Sequence, residues 1–220
     1  CNLYDTNHNL VAGPVNSNNG VVTFTNVTYS GDVYSKCQGG SYTDEATGVT
    51  VTLTSANIMR SATLAITPST AGSSFSQVVT PLTELTFRKA LSDGDISSRN
   101  TIIKAGEVAD MFGLDNIDIT QITPTAIENI SSTSNSAADN YGKVLAVISQ
   151  MQTNDRSNPT QPPSATELNQ LINTLAQEID NAGSIDNTRY SDGITAVANN
   201  VRLSTTVDLT SIEQNIPEPE

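Results

Sequence analysis

Tryptophan is absent, histidine occurs once, and aromatic residues make up only 5% of the 220-residue chain. A single histidine, His8, leaves little for acid–base chemistry. No Gly-x-Ser-x-Gly elbow, Cys–His pair, His-Glu-x-x-His run or phosphate loop is present. Adjacent carboxylates such as Asp44 and Glu45 read as solvated surface, and sugar-cleaving sites also want aromatic platforms. The sequence therefore reads as non-enzymatic. Basic residues are scarce too: 10 against 23 acidic ones, a net charge of −13. Phosphate binding needs clustered cations, and acids interleave the densest basic stretch, Arg88, Lys89, Arg99 and Lys104. Nucleic acid is excluded as a partner on that ground. No run approaches the ~18 apolar residues of a membrane span. No leader peptide is visible, so an exported chain would have lost it or carry it outside this sequence.

Hydrophobic residues reach only 36%, so modest cores of Val, Ile, Leu and Ala are expected. Up to residue 66 the pattern is β. Asn2-Leu3-Tyr4, Val21 to Thr25, Asp32 to Lys36, Val49 to Leu53 and Ser61 to Ile66 carry β-branched or aromatic residues, mostly in alternation. Turn residues separate them, among them Gly13-Pro14, Asn18-Asn19-Gly20 and Gly39-Gly40. Residues 1–66 thus predict a small antiparallel β-sandwich. Residues 67–79 read as a connector.

From residue 80 the period becomes helical. Thr80-Pro81 is a helix start, with Leu82, Leu85 and Leu91 near one face. A second helix runs through Ile102, Ile103, Val108, Ala109 and Phe112 to Gly113. A third covers 137–151. A fourth opens with the capping box Ser164-Ala165-Thr166-Glu167 and carries Leu168, Leu171, Ile172, Leu175 and Ile179. A shorter fifth covers 192–202. The fold class is α+β: a sandwich, then a domain of four or five helices over residues 80–202. The tail, 203–220, turns β-like, with Thr205, Val207, Leu209 and Ser211 at alternate positions. It reads either as a last strand or loose end of this chain, or as a strand offered to a neighbour.

Several stretches taken in order resemble a group of secreted bacterial surface proteins and lipoproteins. They are Tyr29-Ser30-Gly31-Asp32-Val33-Tyr34, Gly39-Gly40-Ser41-Tyr42-Thr43-Asp44-Glu45-Ala46-Thr47-Gly48, and Val79-Thr80-Pro81-Leu82-Thr83-Glu84-Leu85. Val108 to Leu114, Asp118-Ile119-Thr120 and Tyr141 to Ser149 continue the series. In that group a carboxypeptidase-regulatory-like (prealbumin-like) sandwich leads into helices. The resemblance implies export and a structural or adhesive role, and brings no catalytic residues. Sandwiches of the group start with a strand ahead of the position of Cys1, which implies an open edge here.

Cys1 opens one predicted strand and Cys37 closes another. A bridge would close about 37 residues and suits an exported protein with a thin core. The rival is an acylated Cys1, which would leave Cys37 free; the strand-like Leu3-Tyr4 favours the bridge over a spacer. Asp5-x-Asn7-x-Asn9 matches the first ligands of a calcium loop, but Leu10 stands where glycine belongs and Asn16 where the bidentate glutamate belongs. Asp5, Asn7 and Asn9 read mainly as a tight turn, with calcium a weak alternative and no other cofactor expected.

The functional expectation is an extracellular, cell-surface structural protein. It would polymerise with itself into a filament, fimbria-like fibre or biofilm matrix, residues 205–211 filling an open edge beside Asn2 to Tyr4 in the next copy. The alternatives are an adhesin gripping glycan or protein through loop 39–47, and a lipid-anchored surface protein.

Overall fold

The computed structural model describes residues 1–67, 73–131, 134–156, 158, 161–200 and 209–213. The architecture is α+β, with antiparallel strands first and helices after. The strands are β1 (Asn2–Asp5), β2 (Leu10–Ala12), β3 (Val21–Val27), β4 (Gly31–Thr43), β5 (Thr50–Arg60), β6 (Leu64–Ile66) and β7 (Ser73–Val78). The main helices are α1 (Pro81–Ser92), α2 (Ser98–Met111), α3 (Ala137–Asn154), α4 (Ala165–Ala182) and α5 (Asn187–Asn199). Two compact units form, each drawn from several segments. Unit 1 takes residues 1–38, 58–108 and 118–123; unit 2 takes 39–57, 109–117 and 124–220. These units differ from the linear division at 66 and 80. In particular, β7 lies inside the predicted connector, where Phe75, Gln77 and Val78 pair with β3.

In unit 1 two sheets face each other. One is ordered β2-β1-β4-β5, with β6 also on β4; the other is the pair β3-β7. Leu3 and Val33 from the first sheet meet Val22, Phe24 and Val27 from the second in one buried cluster. Alternation then sends Tyr4 and Tyr34, cross-strand partners, to the opposite face of the first sheet. The expected open edge beside β1 is not there. β1 pairs with β4 on one side and with β2 on the other. The overlooked strand is β2: a three-residue run, Leu10-Val11-Ala12, is too short to show alternation. Ser61 interrupts β5 and β6. Its hydroxyl accepts the Ser35 N–H at 2.8 Å, and its own N–H donates to the Ser35 carbonyl at 3.0 Å.

Helix α1 starts where the sequence predicts, with Pro81 at the first position, and Thr80 and Thr83 form a reciprocal cap there. Leu82 and Leu85 are buried, but Leu91 is 46% exposed. Nine residues at 100° each place it opposite Leu82. Ile102 and Ile103 are likewise 54% exposed each, because the buried stripe of α2 is Thr101, Ala105, Val108 and Ala109.

Unit 2 holds α3, α4 and α5. Helix α4 follows its sequence closely: Ser164 and Glu167 cap it, five apolar residues at helical spacing are buried, and Gly183 ends it at φ 70°. Helix α5 begins earlier than the predicted 192, because Asp186 accepts the N–H groups of Thr188 and Arg189. Gly193 on α5 admits Met151 and Val147 of α3; a Cβ there would lie 2.8 Å from Met151 Cγ. At Gly142 of α3 the approach is closer. A Cβ there would lie 1.9 Å from the Thr125 carbonyl oxygen, whose own N–H is tied to Ala138. Gly142→Ala is expected to destabilise by about 3 kcal/mol, since backbone must shift. Urea unfolding followed by circular dichroism checks it.

Of the predicted donor segment, Thr205 and Val207 lie outside the described residues. Leu209 is buried, and Thr210–Glu213 forms one turn of helix. Ser211 therefore sits in a helical turn rather than a strand. Leu209 and Ile212, three apart and both buried, suit that turn.

Candidate functional site

The Asp5-Asn7-Asn9 motif folds as the turn between β1 and β2. Asp5 Oδ1 accepts the N–H groups of Asn7 and Asn9 at 2.9 and 2.8 Å, and Oδ2 accepts Asn9 Nδ2 at 3.0 Å. These donors, the Asn9 side chain foremost, hold the Asp5 carboxyl below the usual carboxylate range. His8 takes the left-handed conformation the turn needs, at φ 64°. Cys1 and Cys37 form a disulfide, so the Cys1 sulfur is not available for a lipid thioether in this state.

Of the alternative ligand grip at 39–47, residues up to Thr43 lie in β4 with Ser41 and Thr43 exposed, and the turn after them is tied into unit 2 through Asp44. Asp44 is fully buried; its Oδ1 accepts the Thr47 N–H and hydroxyl, and its Oδ2 accepts the Ser149 hydroxyl at 2.7 Å. The same Ser149 oxygen accepts the Ala46 N–H at 2.9 Å. Burial pushes the Tyr42 hydroxyl up, with the Asp44 charge adding to it.

The outer face of unit 1's larger sheet does form a cavity, of about 360 Å³. Period-2 alternation builds it. Tyr34 and Lys36 project from β4, Ile58 and Arg60 from β5, and Tyr4 from β1. Helix α1 closes the other side with Phe87 and Leu91, one turn apart, and His8 stands at the β1–β2 turn. The aromatic rings form a series. Tyr4 stacks on Tyr34 at 5.8 Å, and Tyr34 meets Phe87 at 4.6 Å. Arg60 lies over the Phe87 ring at 4.5 Å. Tyr34 OH and His8 Nδ1 are 2.7 Å apart. Burial raises the Tyr34 hydroxyl, and the nearby Arg60 charge partly offsets this.

Behind the cavity-lining Arg60, its partner Glu84, at 0% exposure, gathers two guanidinium groups. Arg60 donates through Nε and Nη2 at 3.0 and 2.6 Å and through its backbone N–H at 2.8 Å; Arg88 Nε donates at 2.6 Å. Lys36 differs. Its ammonium makes no ion pair or hydrogen bond among the described residues. Sequence reasoning missed this site because its residues come from five separate segments. The available signal was Tyr34-Ser35-Lys36 and Ile58-Met59-Arg60, where aromatic, apolar and cationic side chains share one strand face.

Among the described residues no three His, Cys, Asp or Glu side chains converge as a metal-ligand group. Nor, among them, is any helix long and apolar enough to cross a membrane. No protein family, curated protein or solved structure matches the chain.

In unit 2 the buried Tyr190 donates to the Phe112 carbonyl at 2.8 Å and meets the Phe112 ring edge-on. Burial pushes its hydroxyl far above the ordinary 10.0. The folded state therefore holds the neutral phenol, while the unfolded chain ionises near pH 10. Stability from this group is complete below that pH and declines as pH rises further. Tyr190→Phe is expected to cost about 1 kcal/mol near neutral pH through the lost hydrogen bond. It should also flatten the alkaline decline. Guanidinium midpoints between about pH 8 and pH 11.5 test both effects.

Proposed function

We propose that the protein is a non-enzymatic, extracellular binding module, and that the cavity over Tyr4 and Tyr34 is its ligand seat. One observation carries this reading: an open cavity of about 360 Å³ walled by aromatic rings, with cationic groups at its rim. That volume lies at the small end of ligand pockets, enough for one or two ring-sized units. A disulfide and an acidic chain suit an oxidising, extracellular setting. The test is a titration of the folded protein with soluble oligosaccharides, neutral and acidic, followed by amide shifts. Shifts centred on Tyr4, His8 and Lys36 are expected, with loss in Tyr4→Ala. A panel that leaves those amides unmoved overturns the reading.

The filament subunit stands as a second reading, on a different edge. Among the described residues β3 and β7 form a sheet of two strands, so each has a side without a partner strand. A strand from a neighbouring copy would fit there by β-augmentation. Electron microscopy of the concentrated full chain discriminates: a preparation without filaments overturns this reading.

A further inference from the structure

Resting on the binding-module reading, we propose that the cavity selects a carboxylated sugar, a pyranose acid of the uronate type within an acidic polysaccharide. The argument starts from where the cations are. The chain carries only 10 basic residues against 23 acidic ones, yet two of them, Lys36 and Arg60, line this cavity. Glu84 takes up the Arg60 charge, which leaves Lys36 as the cavity cation without an ion pair among the described residues.

Two of the donors are uncommitted. Lys36 has no partner among the described residues, and Arg60 uses Nε and Nη2 on Glu84 but leaves Nη1 without a protein hydrogen bond. A carboxylate is the group that an ammonium and a guanidinium edge recognise together. Tyr4 is half-buried, with its ring stacked on Tyr34, and offers a flat apolar platform to a sugar face. His8 Nδ1 is held by the Tyr34 hydroxyl at 2.7 Å, which leaves Nε2 as the ring nitrogen to meet a sugar hydroxyl. The wider field, −13 overall, repels an anion. That repulsion is screened beyond about 8 Å at physiological ionic strength, whereas contact at Lys36 is not. A neutral sugar would leave Lys36 and Arg60 Nη1 desolvated without compensation.

The experiment is calorimetry of the full chain with three probes: an oligogalacturonate, its methyl ester, and the matching neutral galactose oligomer. The acid is expected to bind roughly tenfold or more tightly than the ester or the neutral oligomer. Lys36→Met, which keeps an unbranched apolar stem and removes an ammonium with no ion pair among the described residues, is expected to remove that preference. Lys36→Arg should retain it. Equal binding of acid, ester and neutral oligomer, or a preference that survives in Lys36→Met, overturns the carboxylate assignment and leaves the module reading in place. No binding by any probe overturns both.

Discussion

The paired substitution Cys1→Ala and Cys37→Ala is expected to lower the stability of unit 1 by about 4 kcal/mol. The bridge joins residues 36 apart in sequence, and in the chain-entropy view a loop of that length loses roughly this much freedom when closed. The native contribution is easy to place. Asn2 pairs with Lys36 across β1 and β4, so Cys1 and Cys37 are the next rung of the same ladder. β1 is only four residues long and lies between β2 and β4. Leu3 is its one apolar residue in the sandwich core. If β1 leaves the sheet, β2 loses its strand partner, and Tyr4 leaves the cavity with it. Urea unfolding with and without a reductant checks this, alongside the double variant. A loss below about 1 kcal/mol would show that β1 is held by its ladder alone. The same variant should also lose ligand affinity, since Tyr4 supplies the platform.

Glu84→Gln is expected to cost about 3 kcal/mol. The carboxylate is wholly buried in the first turn of α1 and accepts four N–H donors, three from Arg60 and one from Arg88. An amide keeps the shape but not the charge, and its NH₂ group must face a guanidinium. Removing one member of a buried ion network leaves its partners uncompensated, which typically costs 3–5 kcal/mol. The two arginines here retain some exposure, so the lower end of that range applies. Thermal and urea unfolding give the value, and a loss under about 1 kcal/mol would contradict it. A triple variant, Glu84→Leu with Arg60→Met and Arg88→Leu, is expected to recover most of the loss. That recovery separates stability from binding, because the triple variant also gives up the Arg60 donor.

What could be read from the sequence was local. Helix α4 was legible because Ser164, Glu167, Gly183 and five apolar residues all signal within one segment. The start of α1 was legible for the same reason, in Thr80-Pro81; the Thr83 half of its cap was not. β2 and β7 were not: one is too short to alternate, and the other has Ser and Gln where a strand usually shows apolar residues. Gln77 is nonetheless buried, donating to the carbonyls of Val33 and Ala62, a use no single segment reveals. The open edge was implied by the resemblance, which expects a strand ahead of Cys1; β2 fills that side of β1 instead. The disulfide was legible from two cysteines on two strands. The cavity was not, because its walls meet only through strand register and the seat of α1. His8 reads from the sequence as a turn residue, and nothing local points to its partner Tyr34, 26 positions away.

Unit 1 is drawn from pieces that lie on both sides of residues 39–57, and this governs how the protein can be dissected. A gene fragment stopping at residue 66 would carry β3 without β7, and Tyr34 without Phe87. Trimming a few residues at either cut cannot repair that. Anyone wishing to study the cavity in isolation would do better to replace 39–57 with a short turn than to shorten the chain from its end.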